Sequence, residues 1–188
     1  MGAEPQREWT AEEYLAYERA SEVKHEYSDG ELFAMSGASR AHGRIAWNLG
    51  GALYPQLEQA SCEGFTAEMR VRIPGSDRYT YPDLVVVCGE PEFEDAELDT
   101  LVNPTLVVEI LSPSTEDYDR GRKLFHYRSI PSLQAVLLVS QEEVHVELYE
   151  RQPDGRWVLS EADDADQSVD LPAIGARLAL ADVYRRVI

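Results

Sequence analysis

Three short apolar runs constrain the fold of this chain more than any other feature of its sequence. They are Leu84–Cys88, Leu106–Leu111 and 135–139. A strand with one solvated face alternates apolar and polar residues, whereas a strand buried on both faces is apolar almost throughout. The runs therefore predict strands over 81–88, 105–111 and 134–140 in a sheet that is covered on both sides.

Capping and turn signals predict the elements around this sheet. Thr10 and Glu13 have the spacing of a capping box, which begins a helix that we expect to end near residue 20. Asp29 and Gly30 form a turn dipeptide that predicts a hairpin between two short strands. We also predict helices over 39–59, 116–128 (capped by Ser114 or Thr115) and 180–187, single strands over 65–73, 143–151, 156–160 and near 169, and a solvated acidic loop over 89–103. This order of elements is that of a mixed α/β protein.

The length of 188 residues indicates one domain. We expect a flexible N-terminal tail over 1–8 and a single domain over 9–188. Two cysteines are too few for a disulfide framework, so we interpret Cys88 as a buried thiol and assign no role to Cys62. The N-terminus is polar, and no segment approaches the ~18 consecutive apolar residues of a membrane span. The expectation is a cytoplasmic protein without a membrane partner.

The charge balance limits the kind of partner. Lys and Arg number 17 and Asp and Glu 35, which gives a formal net charge of −18. A surface this acidic repels nucleic-acid phosphates and anionic lipids at long range, and it argues against a nonspecific nucleic-acid coat protein or a membrane-surface binder. A small basic cleft on an acidic body stays compatible with the sequence, and its arginines would be Arg40, Arg44, Arg70, Arg72 and Arg78.

Glu109 is an acidic residue inside one of the apolar runs. An ionised carboxylate buried there costs several kcal/mol unless it meets a cation or strong hydrogen-bond donors. Two interpretations stay open, a structural ion pair with an arginine and a metal-binding or acid–base group. Asp83 directly precedes the run that lies 26 residues upstream of Glu109, and we expect the two strands to be neighbours. Carboxylates at neighbouring strand ends can share one hard cation such as Mg²⁺.

The predicted helix that follows Glu109 carries a lysine. Lys123 lies 14 residues after Glu109, and a lysine that faces such a site can activate water or neutralise charge that develops on a phosphate. Tyr127 is one helical turn later and shares its face. Arg120, one turn earlier, is a candidate phosphate clamp. The alternative for Lys123 is a surface ion pair with Asp119.

Several motifs of the chain resemble those of one family. They are Tyr81-Pro82-Asp83 with the apolar run after it, the segment from Pro104 to Glu116, Asp119-Arg120-Gly121-Arg122-Lys123, Tyr127-Arg128, Ile130-Pro131-Ser132-Leu133-Gln134 and, upstream, Tyr14-Leu15, Glu26, Asp29-Gly30 and His42. This set is similar to the Uma2 family of predicted restriction endonucleases, which is placed in the PD-(D/E)XK nuclease superfamily. The resemblance implies a restriction-endonuclease-like fold, a mixed α/β sheet flanked by helices.

The resemblance also implies a catalytic set. Asp83 and Glu109 would be the metal-binding acids, with the carbonyl of Ile110 as a further ligand, and the metal would be Mg²⁺ or alternatively Mn²⁺. The lysine of the superfamily normally stands two residues after the second acid, where this chain has Leu111. Lys123 on the following helix would therefore take that role.

Two upstream residues are accessory candidates by the same resemblance. Glu26 or His42 would be the acidic or polar group that the superfamily often adds from its first core helix. The alternatives are a hairpin ion pair for Glu26 and a polar residue at a helix start for His42.

Two functions follow from these residues. The first is a Mg²⁺-dependent endonuclease that hydrolyses DNA phosphodiester bonds through Asp83, Glu109 and Lys123. The second is a nuclease-fold binding protein or complex subunit whose catalysis is vestigial or unassigned. Because cutting two strands takes two sites, and since the resemblance points the same way, we expect a homodimer.

Overall fold

The structure, a computed structural model, describes residues 8–113 and 116–188. Its strands are β1 (His25–Ser28), β2 (Glu31–Ala34), β3 (Cys62–Thr66), β4 (Arg70–Ile73), β5 (Arg78–Thr80), β6 (Leu84–Cys88), β7 (Thr100–Leu101), β8 (Leu106–Leu111), β9 (Ala135–Ser140), β10 (Val146–Arg151), β11 (Trp157–Ala162), β12 (Ser168–Leu171) and β13 (Ala176–Ala179). Its α-helices are α1 (Ala11–Glu18), α2 (Arg40–Ala60), α3 (Glu116–Tyr118), α4 (Leu124–Tyr127) and α5 (Leu180–Val183). A π-helical segment, Asp119–Lys123, joins α3 to α4, and a 3₁₀ turn, Pro172–Ile174, joins β12 to β13.

The three apolar runs form the centre of a six-stranded mixed sheet with the order β11-β10-β9-β8-β6-β3. Strands β8 and β9 are parallel, whereas β6 and β8 are antiparallel neighbours. Every residue of β8 and of β9 is buried, as continuous apolar strands require. The prediction that the strand after Asp83 and the strand with Glu109 are neighbours is therefore confirmed, as is the mixed α/β class.

Helix α2 covers one face of this sheet with a stripe of four buried residues, Ile45, Leu49, Leu53 and Leu57. Each buried side chain of this kind contributes roughly 2 kcal/mol relative to its exposed state. The other face packs against Leu124, Tyr127, Ile130 and Leu133 of the segment after β8. The sheet is thus enclosed between α2 and the helical segment that carries Lys123.

A second, five-stranded sheet has the order β2-β1-β5-β4-β7. The hairpin between β1 and β2 turns at Asp29 and Gly30, whose φ angles of 51° and 89° are the left-handed pair that a tight hairpin turn needs. The capping box of α1 is present, since Thr10 and Glu13 exchange side-chain and backbone hydrogen bonds. Among the described residues, no helix is both long enough and apolar enough to cross a bilayer.

Two predicted strands near the junction of the sheets differ from the observed ones. The strand predicted over 65–73 is divided into β3 of the six-stranded sheet and β4 of the five-stranded sheet. The strand predicted over 81–88 is β6, which begins only at Leu84, and β5 of the other sheet, which ends at Thr80, was not predicted. Pro82 lies between β5 and β6, and proline cannot donate to a ladder, so the chain leaves one sheet there and enters the other. Asp83 consequently stands where the two sheets meet.

The prediction of free cysteines was wrong. Cys62 of β3 lies directly opposite Cys88 of β6, with a Cα–Cα distance of 4.0 Å, and the two form a disulfide. Their separation of 26 residues carries no pairing signal. The contact arises only from the register of two antiparallel strands.

Two further elements differ from the predictions. The acidic segment over 89–103 contains β7, and several of its carboxylates bind arginines, so it is not simply a solvated loop. The last helix ends at Val183, not near 187, and Arg186 adopts a positive φ of 61°. Strand β13 was not predicted. The proposed caps Ser114 and Thr115, and all of the predicted tail except Glu8, lie outside the described residues.

Candidate active site

Lys123 is buried between two carboxylates that come from different sheets. Its Nζ lies 2.9 Å from Glu109 Oε1 of β8 and 2.9 Å from Glu26 Oε1 of β1. Only 6% of Lys123 and 4% of Glu109 is exposed. The π-helical segment turns Lys123 toward the sheet, so that the predicted location of its ammonium beside Glu109 is confirmed.

Asp119 also faces this ammonium, at 3.8 Å. The ion pair considered as the surface alternative therefore exists, but both partners are buried within the site. The spacing of four residues on one helix could have signalled Asp119 as a fourth acid.

Tyr127 donates a hydrogen bond of 2.5 Å to Glu109 Oε1 and lies 3.1 Å from the hydroxyl of Thr80. Burial raises the pKa of Glu109 to about 8, although the ammonium of Lys123 acts in the opposite direction. Burial alone would lower the pKa of Lys123, but Glu109 and Glu26 outweigh it and hold that pKa well above its ordinary value. At neutral pH Lys123 is therefore charged, and Glu109 keeps its proton to a higher pH than an ordinary glutamate does.

Asp83 is held at both carboxylate oxygens. Oδ2 accepts a 2.7 Å hydrogen bond from the backbone N–H of Ile110, and Oδ1 lies 2.8 Å from His42 Nε2. The pairing of Leu84 with Val108, continued by one residue, sets Asp83 opposite Glu109. The hydrogen bond to Asp83 outweighs burial and raises the pKa of His42.

The two accessory candidates join the site from separate elements. His42 lies in the first turn of α2, where its backbone N–H donates to the capping hydroxyl of Ser39. Glu26 does not form an ion pair within its hairpin; it pairs with Lys123 and accepts a 3.2 Å hydrogen bond from the N–H of Tyr81. Sequence alone offered no sign of this backbone contact, because it joins residues 55 positions apart.

Arg120 does not point to the cleft as predicted. It pairs with Glu147 at 2.7 Å and with Glu116 at 2.6 Å. The two acids bind different nitrogens of its guanidinium, and Glu147 lies on β10, which the sequence does not place near this helix. Arg120 therefore belongs to an ion-pair cluster beside the site.

Three of the arginines predicted for a basic cleft are also engaged. Arg70 binds Asp99, Arg72 binds Glu94, and Arg78 binds Asp29. The excess of acidic residues supplies each of them with a partner. A narrow cleft nevertheless reaches Lys123, and its lining includes Glu26, Ser28, Arg78, Tyr118 and His126.

The donor set at Asp83 and Glu109 fits a hard cation. Mg²⁺ typically takes one or two carboxylates and keeps several waters, and each carboxylate has lone pairs beyond those used by its hydrogen bonds. The described part of the chain contains no group of three or more His, Cys, Asp and Glu side chains arranged to hold a metal ion.

The fold places the chain in a known structural class. A solved structure from Anabaena variabilis ATCC 29413, described as "a putative nuclease belonging to DUF820", matches it with a TM-score of 0.75 and 20% sequence identity, over 96% of this chain and 99% of that one. The shared fold is restriction-endonuclease-like, with mixed sheets flanked by helices.

Sequence comparison identifies the family. The chain matches the Uma2 family, described as "Putative restriction endonuclease", over residues 11–181, and it belongs to that family. Two uncharacterized proteins of Synechocystis sp. (strain ATCC 27184 / PCC 6803 / Kazusa) are each 38% identical to it. Protein slr1290 aligns over 174 residues, 93% of this chain and 90% of the relative. Protein sll1609 aligns over 152 residues, 81% of this chain and 86% of the relative.

Proposed function

We propose that this protein is a divalent-metal-dependent endonuclease that hydrolyses DNA phosphodiester bonds. The observation that carries the proposal is the buried ammonium of Lys123, which lies 2.9 Å from Glu109 Oε1. Glu109 is on β8, and the neighbouring strand β6 directly follows Asp83. An acid pair with one lysine is the chemistry that phosphodiester hydrolysis uses. The description of the Uma2 family as restriction endonucleases makes DNA the proposed substrate.

Lys123 acts in this proposal as a fixed cation. Its neighbours hold its pKa well above the ordinary value, so it keeps its proton at neutral pH. A charged ammonium donates hydrogen bonds and stabilises negative charge that develops on the phosphate, but it cannot accept a proton from water. We therefore assign Lys123 to orientation and charge stabilisation.

Asp83, Glu109 and the carbonyl of Ile110 would hold the cation, as the family resemblance implies. When bound, a divalent ion supplies Lewis-acid stabilisation to the phosphoryl group. His42 and the N–H of Ile110 fix both oxygens of Asp83 and so orient this carboxylate. His42 is thus a positioning residue, and His42→Ala should raise the Mg²⁺ concentration needed for half-maximal rate more than it lowers the maximal rate.

Nicking of supercoiled plasmid tests the proposal. Activity should require Mg²⁺ or Mn²⁺, and it should be absent in Asp83→Ala and in Lys123→Met. Lys24 is the only other lysine in the chain and pairs with Glu68 outside the site, so Lys24→Met is a matched control that should keep full activity. Nicking that persists in Asp83→Ala would refute the assignment.

The engaged arginines favour a second function. With Arg70, Arg72 and Arg78 bound to acids, the protein offers less positive surface to DNA than the sequence suggested. A nuclease-fold subunit that acts within a complex is compatible with this surface. Absence of nicking with either metal, in protein that still binds Mg²⁺, would favour that function.

The proposal includes a homodimer and a cytoplasmic location. Glutathione and thioredoxin keep most cytosolic thiols reduced. The fold should therefore persist when the bond between Cys62 and Cys88 is reduced, which circular dichroism in dithiothreitol would measure.

A further inference from the structure

Helix α2 carries a second stripe on the face opposite its buried one. The residues of this outer stripe follow each other at spacings of three or four, and all are exposed: Arg40, Gly43, Trp47, Gly51, Tyr54 and Glu58. Trp47 is 76% exposed and Tyr54 is 66% exposed. Two large aromatic side chains on the same exposed face of a helix are typical of a contact surface.

The outer stripe is complementary to itself in reverse order. When two copies of α2 are laid antiparallel about a two-fold axis near Leu49, Trp47 of one copy faces Gly51 of the other. Tyr54 then faces Gly43, and Arg40 faces Glu58. An isologous interface requires this property, because residue i contacts residue j on both sides of the axis.

The protomer itself does not explain the two glycines. A Cβ added at Gly43 or at Gly51 would meet no atom within 4 Å. Glycine inside a helix is less favourable than alanine, so these positions weaken α2 without any packing benefit within the protomer. Close approach of an aromatic ring from outside would use the space.

The polar groups of the outer stripe also lack partners within the described residues. No ion pair is formed there by Arg40 or by Glu58, and Trp47 makes no hydrogen bond. Pro55 has no N–H to offer to the carbonyl of Gly51, four residues earlier. The carbonyl of Gly51 is thus an acceptor on the outer face of the helix, and the indole N–H of Trp47 is a donor on the same face.

We propose that the outer stripe of α2 is a homodimer interface, occupied by α2 of a second copy in antiparallel orientation. The four aromatic side chains bury on the order of 500 Å², which is below the 1,200–2,000 Å² of a stable interface. Flanking surface must add to it, and a small interface of this kind gives a weak, concentration-dependent association. The proposal does not depend on the nuclease assignment.

Sedimentation of the full chain from low to high micromolar concentration tests the interface. Trp47→Glu should raise the dimer Kd about 30-fold, as expected for a central aromatic. Phe125 is 70% exposed on α4, so Phe125→Glu is a matched control that should leave the Kd unchanged. Gly51→Gln should weaken the dimer while raising the melting temperature of the monomer, because only the helix propensity changes in the isolated protomer.

A charge exchange tests the orientation of the helices. Arg40→Glu should weaken the dimer about 5-fold, and adding Glu58→Arg should restore the Kd to within about 2-fold. A parallel arrangement would not give this rescue. The proposal is overturned by a chain that stays monomeric throughout, by a dimer that tolerates Trp47→Glu and Gly51→Gln, or by a loss of DNA binding in Trp47→Glu with no change in mass.

Discussion

Two clusters of charge, each built around one buried cation, lie on either side of Tyr81, and they are built differently. The arginine cluster consists of Arg19, Arg70, Asp95 and Asp99, with two cations for two anions. The site cluster consists of Glu26, Asp83, Glu109, Asp119, Lys123 and His42, with four carboxylates for one lysine and one histidine. Charges are balanced in the first and surplus negative in the second.

The arginine cluster has the features of a structural element. Arg70 is 2% exposed, and its guanidinium binds Asp99, the hydroxyl of Thr100 and that of Tyr81. The rings of Tyr14 and Tyr81 lie 5.6 and 5.7 Å from it, within range of a cation–π contact. Every donor group therefore has a partner, which is the condition under which a buried charge stabilises a fold.

The site cluster holds carboxylates that its own cations do not neutralise. The pKa of Glu109 is raised because burial, and to a smaller extent the negative charge of the neighbouring acids, opposes its ionisation. Such an arrangement is unfavourable for folding and suited to an added cation. We infer that surplus negative charge, more than burial itself, distinguishes the proposed metal-binding site from a structural ion pair.

The largest expected effect is on catalysis in the site cluster. Lys123→Met should lower the nicking rate by about 10²- to 10³-fold, because it removes the fixed charge near the phosphate. The free energy of unfolding should change much less, since burial favours the protonated form of Glu109, which needs no counter-charge. A variant that is folded and as active as the wild type would show that the two clusters do not differ in function.

Arg70→Met in the arginine cluster should have the opposite outcome. It leaves Asp99 without its buried partner, and the free energy of unfolding should fall by about 3 kcal/mol, reduced from the fully buried case because Asp99 is partly exposed. Urea denaturation measures this. The protein that remains folded should nick at the wild-type rate, and a specific loss of activity would connect Arg70 to the site.

Glu109→Gln should change the pH dependence of stability. The folded pKa of about 8 lies above that of an unfolded glutamate, so the folded state binds an extra proton and wild-type stability declines as the pH rises from about 4.5 to 8. Glutamine cannot titrate, so the variant should gain about 2 kcal/mol over the wild type between pH 5 and pH 8. Parallel stability curves for the two proteins would contradict the raised pKa.

Asp99→Asn should have the smallest effect on the free energy of unfolding, and this effect should depend on pH in the opposite direction to that of Glu109→Gln. Hydrogen bonds from Arg19 hold the pKa of Asp99 well below its ordinary value, so its contribution is present above about pH 4 and is lost as the pH falls further. The variant should be about 1 kcal/mol less stable than the wild type at pH 6 and should converge with it in acid. Thermal unfolding at pH 6 and pH 3 measures the difference, and a gap that widens in acid would be inconsistent with this pairing.

Local patterns were sufficient for much of the fold. The capping box at Thr10, the turn at Asp29-Gly30 and the stripe from Ile45 to Leu57 each depend on residues within a few positions of one another. The long apolar runs likewise report burial on both faces directly. The disulfide and the division of the strand predicted over 65–73 between two sheets depend on register and on sheet edges, which no local pattern encodes.

The amino-acid sequence by itself determined the first two helices, the three apolar strands at the centre of the sheet and, through its motifs, the proposal that Asp83, Glu109 and Lys123 form one site. Only the tertiary structure decided which charges meet. It brings Glu26 to Lys123, ties Asp83 to His42 and withdraws Arg70 from the surface. The reason is physical: periodicity and propensity act over one or two turns of chain, whereas the pairing of charges depends on distances between elements that lie tens of residues apart.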